Sequence, residues 1–203
     1  MENKKDRKNS ASLILEAGTV EFSRYGLAGA RIDRIARKAG VNKAMIYYHF
    51  RSKENLYQTI IEQHLDKLKH FFRERIKLPG DPEEIFLNLA EFYNSRFISP
   101  IFIPIFLREI ASGGEIIKKA LAEFMVEGPG HKLTSIIESF VEQGSFRNID
   151  SRQAIVSFVG MNLYYLVMSP FVNKILEIEN EKDFREKRPE AIVDLFFNGI
   201  KAR

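Results

Sequence analysis

Two short runs of helical periodicity, separated only by Gly40-Val41-Asn42, restrict this chain more than any other feature of its sequence. Ile32, Ile35, Ala36 and Ala39 recur at i, i+3, i+4 and i+7, so they line one side of a two-turn helix that Gly40 closes. Asn42 is a good N-cap for a second short helix, in which Ile46 and Phe50, four residues apart, point the same way into a core. The spacing therefore predicts a helix, a tight turn and a second helix over residues 31–50.

The rest of the chain has the same period. Strand signals are nearly absent, and the expected fold class is all-α. Ile14, Ala17, Phe22 and Tyr25 define a first helix that Gly26 ends. Ser52 caps a longer helix carrying Leu56, Ile60, Leu68 and Phe71. The clearest break is LPGDP at 78–82, where Asp81 caps a new helix with Pro82 at its first position. Pro100, Pro104, Gly113-Gly114 and the Gly-Pro-Gly at 128–130 divide the C-terminal part into shorter helices.

Charge is unevenly distributed along the chain. Residues 1–53 hold twelve Lys and Arg against five acids, which is +7; the whole chain carries +4, so the remainder carries −3. A segregated basic domain points to a polyanionic partner. There is no cysteine, which excludes disulfides, thiolate zinc sites and cysteine nucleophiles. The leading MENKKDRKNS lacks the apolar core of a secretory signal, so a cytoplasmic location is expected. No GxSxG, P-loop, GxGxxG or HExxH occurs, and His64 and His70 lie six apart, off the spacing that puts two ligands on one helical face. No enzyme activity, cofactor or metal is expected.

The stretch KAMIYYHFRSKE, residues 43–54, crowds aromatic rings between basic residues. A helix-turn-helix lays its second helix in the DNA major groove, with its N-terminal residues nearest the base edges. With Ile46 and Phe50 in the core, Lys43 is available to guanine or phosphate, and Ala44 and Met45 to a thymine methyl. Tyr47, Tyr48 and His49 rest their rings on the domain and extend polar tips to phosphate oxygens. Lys53, in the first turn of the next helix, adds a donor where backbone N–H groups also favour an anion.

These residues carry a resemblance. ILEAGTVEFSRYG (residues 14–26) and IDRIARKAGVNKAMIYYHFRSKENLY (residues 32–57) resemble the DNA-binding domain of the tetracycline-repressor (TetR) family of transcription regulators. The resemblance implies a homodimer that binds a pseudo-palindromic operator and is released by a small effector, an apolar or aromatic one being expected here. It implies a helix-turn-helix domain over 1–53, a connecting helix over 54–78 and an effector-binding and dimerisation domain over 79–203. DNA contacts are expected from Arg31, Asn42, Lys43, Ala44, Met45, Tyr47, Tyr48, His49 and Lys53. The chain departs from the family pattern twice: Ala30-Arg31 stands where Thr-Thr is common, and Glu21, read as facing solvent, stands where an apolar residue is common. The alternative is a DNA-binding adaptor or nucleoid protein without an effector.

Beyond residue 60 the pattern is weaker. The apolar cluster from Phe97 to Phe106 reads either as core or as the wall of an effector cavity, and the expected effector contacts are Phe97, Phe102, Phe106, Arg108, His131 and Tyr164. GSFRNIDSRQAIVSFVGMNLYYLV (residues 144–167) resembles the start of the family's dimerisation helix, with Asp150 as its cap. From Gln153 to Asn173 the chain has no charge, enough for a membrane span of about 20 residues or for a helix covered by its own domain on one side and a partner on the other. The second reading is preferred, with Phe158, Asn162, Tyr165, Leu166 and Phe196 expected at the dimer interface and a last helix near Pro189 to Lys201 completing it.

Overall fold

A computed structural model of the chain describes residues 4–75, 80–94, 101–122 and 131–201. Among the described residues the structure is helical: α1 (Lys4–Gly29), α2 (Ile32–Ala39), α3 (Lys43–Phe50), α4 (Lys53–Arg75), α5 (Pro82–Asn94), α6 (Ile103–Ala111), α7 (Glu115–Ala122), α8 (His131–Glu142), α9 (Ser151–Ile175) and α10 (Glu181–Ile200). The caps follow from residue chemistry. Asn42, Ser52, Asp81 and Asp150 each accept a backbone N–H from the first turn of the adjoining helix, at 2.8 to 3.0 Å. The Asp150 carboxyl, hydrogen-bonded to Arg152, is held down at a pKa of about 2. Gly26, at φ 64° and ψ 179°, breaks α1 where its core-facing helix ends.

The chain forms two compact units. The first comprises residues 1–67 and 99–121, the second residues 68–98 and 122–203. This differs from the expected division at residue 79, because α6 and α7 belong to the first unit and α4 contributes to both. The reason lies in what the apolar face of 102–117 meets. Phe102, Ile105 and Ile117 are buried in the same core as Ile14, Phe22, Ile35, Ile46, Leu56 and Ile60. Within that core α1 and α4 approach closely at Gly18, where a Cβ would stand 3.0 Å from Ile60 Cδ1.

His64 of α4 stacks on Phe102, with ring centroids 4.0 Å apart, and its Nδ1 lies 2.8 Å from the Ile60 carbonyl. Burial lowers its pKa below the ordinary 6.5. The folded unit therefore holds His64 neutral while the unfolded chain takes up a proton, so stability is complete above that pH and is lost as the pH falls through it. Melting temperature should drop between about pH 7.5 and about pH 5, and His64→Gln should flatten that part of the profile. An unchanged wild-type slope in His64→Gln would show that other groups carry the acid sensitivity.

The second unit is built around Phe86, which is fully buried and meets Phe158 edge-on at 4.7 Å, Phe196 in a stack at 5.2 Å and Phe197 edge-on at 5.6 Å. Ile85, Leu89, Ile137, Ile192 and Ile200 complete the core between α5, α8, α9 and α10. Helix α10 starts at Glu181, eight residues before the expected Pro189, which sits inside it.

The expected partner-facing residues of α9 and α10 are placed differently by the fold. Phe158, Asn162, Tyr165 and Phe196 are all under 5 % exposed within the unit, and Leu166 is half-buried. The Asn162 amide donates to the Phe158 carbonyl at 2.9 Å and accepts from Asn94 Nδ2 at 3.2 Å, while the Tyr165 hydroxyl donates to Asn173 at 2.9 Å. Buried within their own unit, Phe158, Asn162, Tyr165 and Phe196 leave little surface for a partner. The outward side of α9 is instead Val156, Gly160, Tyr164 and Phe171, spaced four, four and seven apart, with Leu195 on α10 also exposed. By length and composition α9 is able to cross a membrane, but its Ile155–Tyr165 face lies in a protein core that also buries two asparagines.

Candidate nucleic-acid interface

The recognition geometry begins with what buries α2 and α3. Ile35, Ala36 and Ala39 of α2 and Ile46 and Phe50 of α3 sit in the first core, so the opposite side of α3 is left in solvent. Gly40, at φ 68°, turns the chain between them and returns its N–H toward the carbonyls of Ala36 and Arg37. Asn42, Lys43 and Ala44 are exposed, Met45 is half-buried, and Tyr47 and Tyr48 are 48 % and 54 % exposed. Two large aromatics half in water on a helix this short suit contact with a phosphate backbone. His49 is half-buried, with Nε2 2.9 Å from the Ser10 hydroxyl. Lys43 pairs with Asp33 of α2 at the surface.

A shallow cleft lies beside α3, lined by Arg31, Asp33, Tyr47, Arg51, Ser52 and Lys53. The first residues of α2 and α4 both line it, and it brings together three cationic side chains, Arg31, Arg51 and Lys53, and two carboxylates, Asp33 and Glu54. Clustered cations beside helix N-termini favour an anion. Arg51, absent from the expected contacts, enters the cleft from the end of α3 at φ 65°, with its N–H donated to the Tyr47 carbonyl at 2.9 Å. Left-handed backbone at a non-glycine residue is costly and accompanies functional sites. The RSKE tetrapeptide contained the charge, but its placement needed the turn.

Glu21 corrects the expectation that it faces solvent: it is 7 % exposed. Its carboxylate accepts the Arg31 N–H at 3.0 Å and Arg34 Nε at 2.6 Å. No side chain of residue 31 caps α2, and a carboxylate reaching from α1 takes that role while leaving the Arg31 side chain exposed.

The described residues among the expected effector contacts are divided between the two units. Phe97 lies outside the described residues, and so does the side chain of His131 at the start of α8. Phe102 is in the first core and Phe106 packs half-buried against it. Tyr164, in the other unit, is 59 % exposed. Arg108 grips the end of α1: its guanidinium donates to the carbonyls of Phe22 at 3.3 Å, Arg24 at 3.2 Å and also Ser23. Those are the carbonyls a helix C-terminus leaves unpaired. Beside it the Tyr57 hydroxyl donates to Glu109 at 3.1 Å, and burial together with that carboxylate pushes the Tyr57 pKa up. Helix α6 is thereby tied to α1 and α4.

A different polar set lies inside the second unit. Asn94 and Asn162 meet between α5 and α9, and Arg188 of α10 lies over the Tyr165 ring at 4.9 Å. Arg188 Nη2 donates to the Met161 carbonyl at 2.8 Å, while its buried Nε has no acceptor among the described residues. Burial lowers its pKa. Among the described residues there is no group of His, Cys, Asp or Glu fit to hold a metal ion.

An exposed second helix on a helix-turn-helix scaffold, beside a cationic cleft, defines a DNA-binding regulator. Comparison with known proteins narrows this class. Residues 14–60 match the profile of "Bacterial regulatory proteins, tetR family". The chain is 32 % identical over 198 residues to the transcriptional repressor NicS of Pseudomonas putida, covering 93 % of this chain and 91 % of that one. With the transcriptional repressor SCO4008 of Streptomyces coelicolor it shares 38 % identity over 81 residues, 40 % of this chain and 39 % of that one. Its fold is also that of AibR, solved in complex with isovaleryl coenzyme A and operator DNA, at a TM-score of 0.68 and 21 % identity over 93 % of this chain and 98 % of that one. The chain belongs to the TetR family of bacterial transcription regulators.

Proposed function

We propose that this regulator is a homodimeric repressor that reads a pseudo-palindromic operator through α3 and leaves it when a small effector enters the helical second unit. The observation that carries the DNA reading is the exposed Asn42–Tyr48 face of α3 beside the cleft formed by Arg31, Arg51 and Lys53. Lys43, Ala44 and Met45 meet base edges, with Lys43 exchanging Asp33 for DNA; Asn42, Tyr47, Tyr48, His49, Arg31 and Lys53 position the backbone. NicS is a transcriptional repressor, and AibR was solved in complex with isovaleryl coenzyme A and operator DNA; together they support a ligand-binding DNA regulator here. Arg188, whose buried Nε has no acceptor among the described residues, is the polar group that the second unit offers to such a ligand.

Selection from random duplexes should enrich a site with two half-sites, spaced about 34–36 Å or somewhat more. Lys53→Ala and Tyr47→Phe should weaken binding to all sequences alike, and Lys53→Ala should lower the salt slope by about one per half-site. Compounds that release the selected duplex must themselves bind less tightly when it is present, by the same factor, typically about 5–150-fold. Enrichment of no site, with affinity indifferent to salt, would sink the DNA reading; equal compound affinity with and without duplex would sink effector release.

A further inference from the structure

The bond between Ser10 and His49 sets the first part of α1 against the last turn of α3. Helix α1 does not start at that contact. Its backbone is helical from Lys4, and at 1.5 Å per residue the six residues 4–9 run about 9 Å beyond Ser10. No apolar residue occurs between Glu2 and Ser10; the residues of α1 that pack on the first core begin with Ala11 and Ile14. What this extra turn and a half does contain is Lys4, Lys5, Arg7 and Lys8 against Asp6 alone. Lys4 is three and four residues from Arg7 and Lys8 in sequence. Four cations against one acid in so short a run suit a polyanion. Through Ser10 and His49 this run begins beside the helix that occupies the DNA groove, within about one Debye length of it at physiological salt.

We propose that Lys4–Lys8 form a basic helical extension that lies along the phosphate backbone flanking each half-site, outside the base pairs that α3 reads. This rests on the DNA reading above and adds a second surface to it. Phosphate contacts of this kind raise affinity without reading sequence. They make the bound length of DNA longer than the recognised site.

The test compares the full-length protein with a variant carrying Lys4→Gln, Lys5→Gln, Arg7→Gln and Lys8→Gln, by fluorescence anisotropy across a salt series. Two duplexes are used: the selected site with long flanks, and the same site trimmed flush with the half-sites. On the flanked duplex the variant should bind on the order of tenfold or more weakly. Its log K against log salt slope should be shallower by about 0.9 for each lost contact, hence roughly 3–4 for a dimer losing two contacts per subunit. Trimming the flanks should erase the difference. An unchanged melting temperature is expected, because the substituted residues precede the first core residue; a deletion of residues 2–8 gives the same comparison without relying on glutamine. Equal slopes on the flanked duplex overturn the proposal, and so does a difference that survives trimming. Failure of the wild type to bind any selected duplex is a separate result, which removes the DNA reading itself.

Discussion

Tyr164→Glu combined with Leu195→Glu should convert a dimer into a folded monomer and abolish operator binding at concentrations where the wild type saturates it. Both side chains are well exposed in the single chain, at 59 % and 67 %, so neither substitution disturbs the core around Phe86. Val156, Gly160, Tyr164 and Phe171 on α9 are exposed, and the expected cover for this apolar stripe is a second copy. An obligate interface of this type buries at least about 2,000 Å² in total. Two charges per subunit on a two-fold axis place four carboxylates in it, and an unpaired buried charge costs several kcal/mol. A monomer then forfeits the second half-site and all its phosphate contacts. Sedimentation velocity together with anisotropy decides this. A double variant that still sediments as a dimer would move the interface elsewhere, and a wild type that is monomeric at micromolar concentration would remove it.

Phe86→Ala should destabilise the second unit by about 3–5 kcal/mol, the range for deleting a buried aromatic from a rigid core. Phe86 is in ring contact with Phe158, Phe196 and Phe197, and these three come from helices fixed by their own caps and packing, so the void cannot close by moving one flexible side chain. The expected readout is a lowered melting transition, with the first unit retaining a separate core. Phe86→Leu should recover a large part of the loss, since it restores most of the volume. A loss below about 1 kcal/mol for Phe86→Ala would mean that α5 collapses into the space and that the core is less rigid than its ring geometry indicates.

The helix-turn-helix was legible because every signal for it is local. Gly40, Asn42, the i, i+3, i+4 spacing of α2 and the Ile46–Phe50 pair lie within twenty residues, and each acts through the backbone next to it. The same locality exposed the basic and aromatic face of α3 and the caps at Ser52, Asp81 and Asp150. Arg51 was less legible, because its approach to the cleft depends on a left-handed turn rather than on residue type.

By itself, then, the sequence determined the helical class, the helix-turn-helix with its outward residues, and the family. Tertiary structure alone decided which apolar surface meets what. Helical period shows that Phe102, Ile105 and Phe106 share a side, yet only the fold assigns that side to the core of α1 and α4 rather than to a ligand. Charge-free on every face, α9 offers no polar stripe to orient it, so packing against Phe86 selects Phe158 and Tyr165 for the interior and leaves Tyr164 outside. Glu21 belongs to the same class: a carboxylate at a core-facing position becomes stable only when the Arg31 N–H and Arg34 arrive from another helix to bind it. Burial is a property of pairs of elements distant in sequence, and a periodic pattern specifies only one member of each pair.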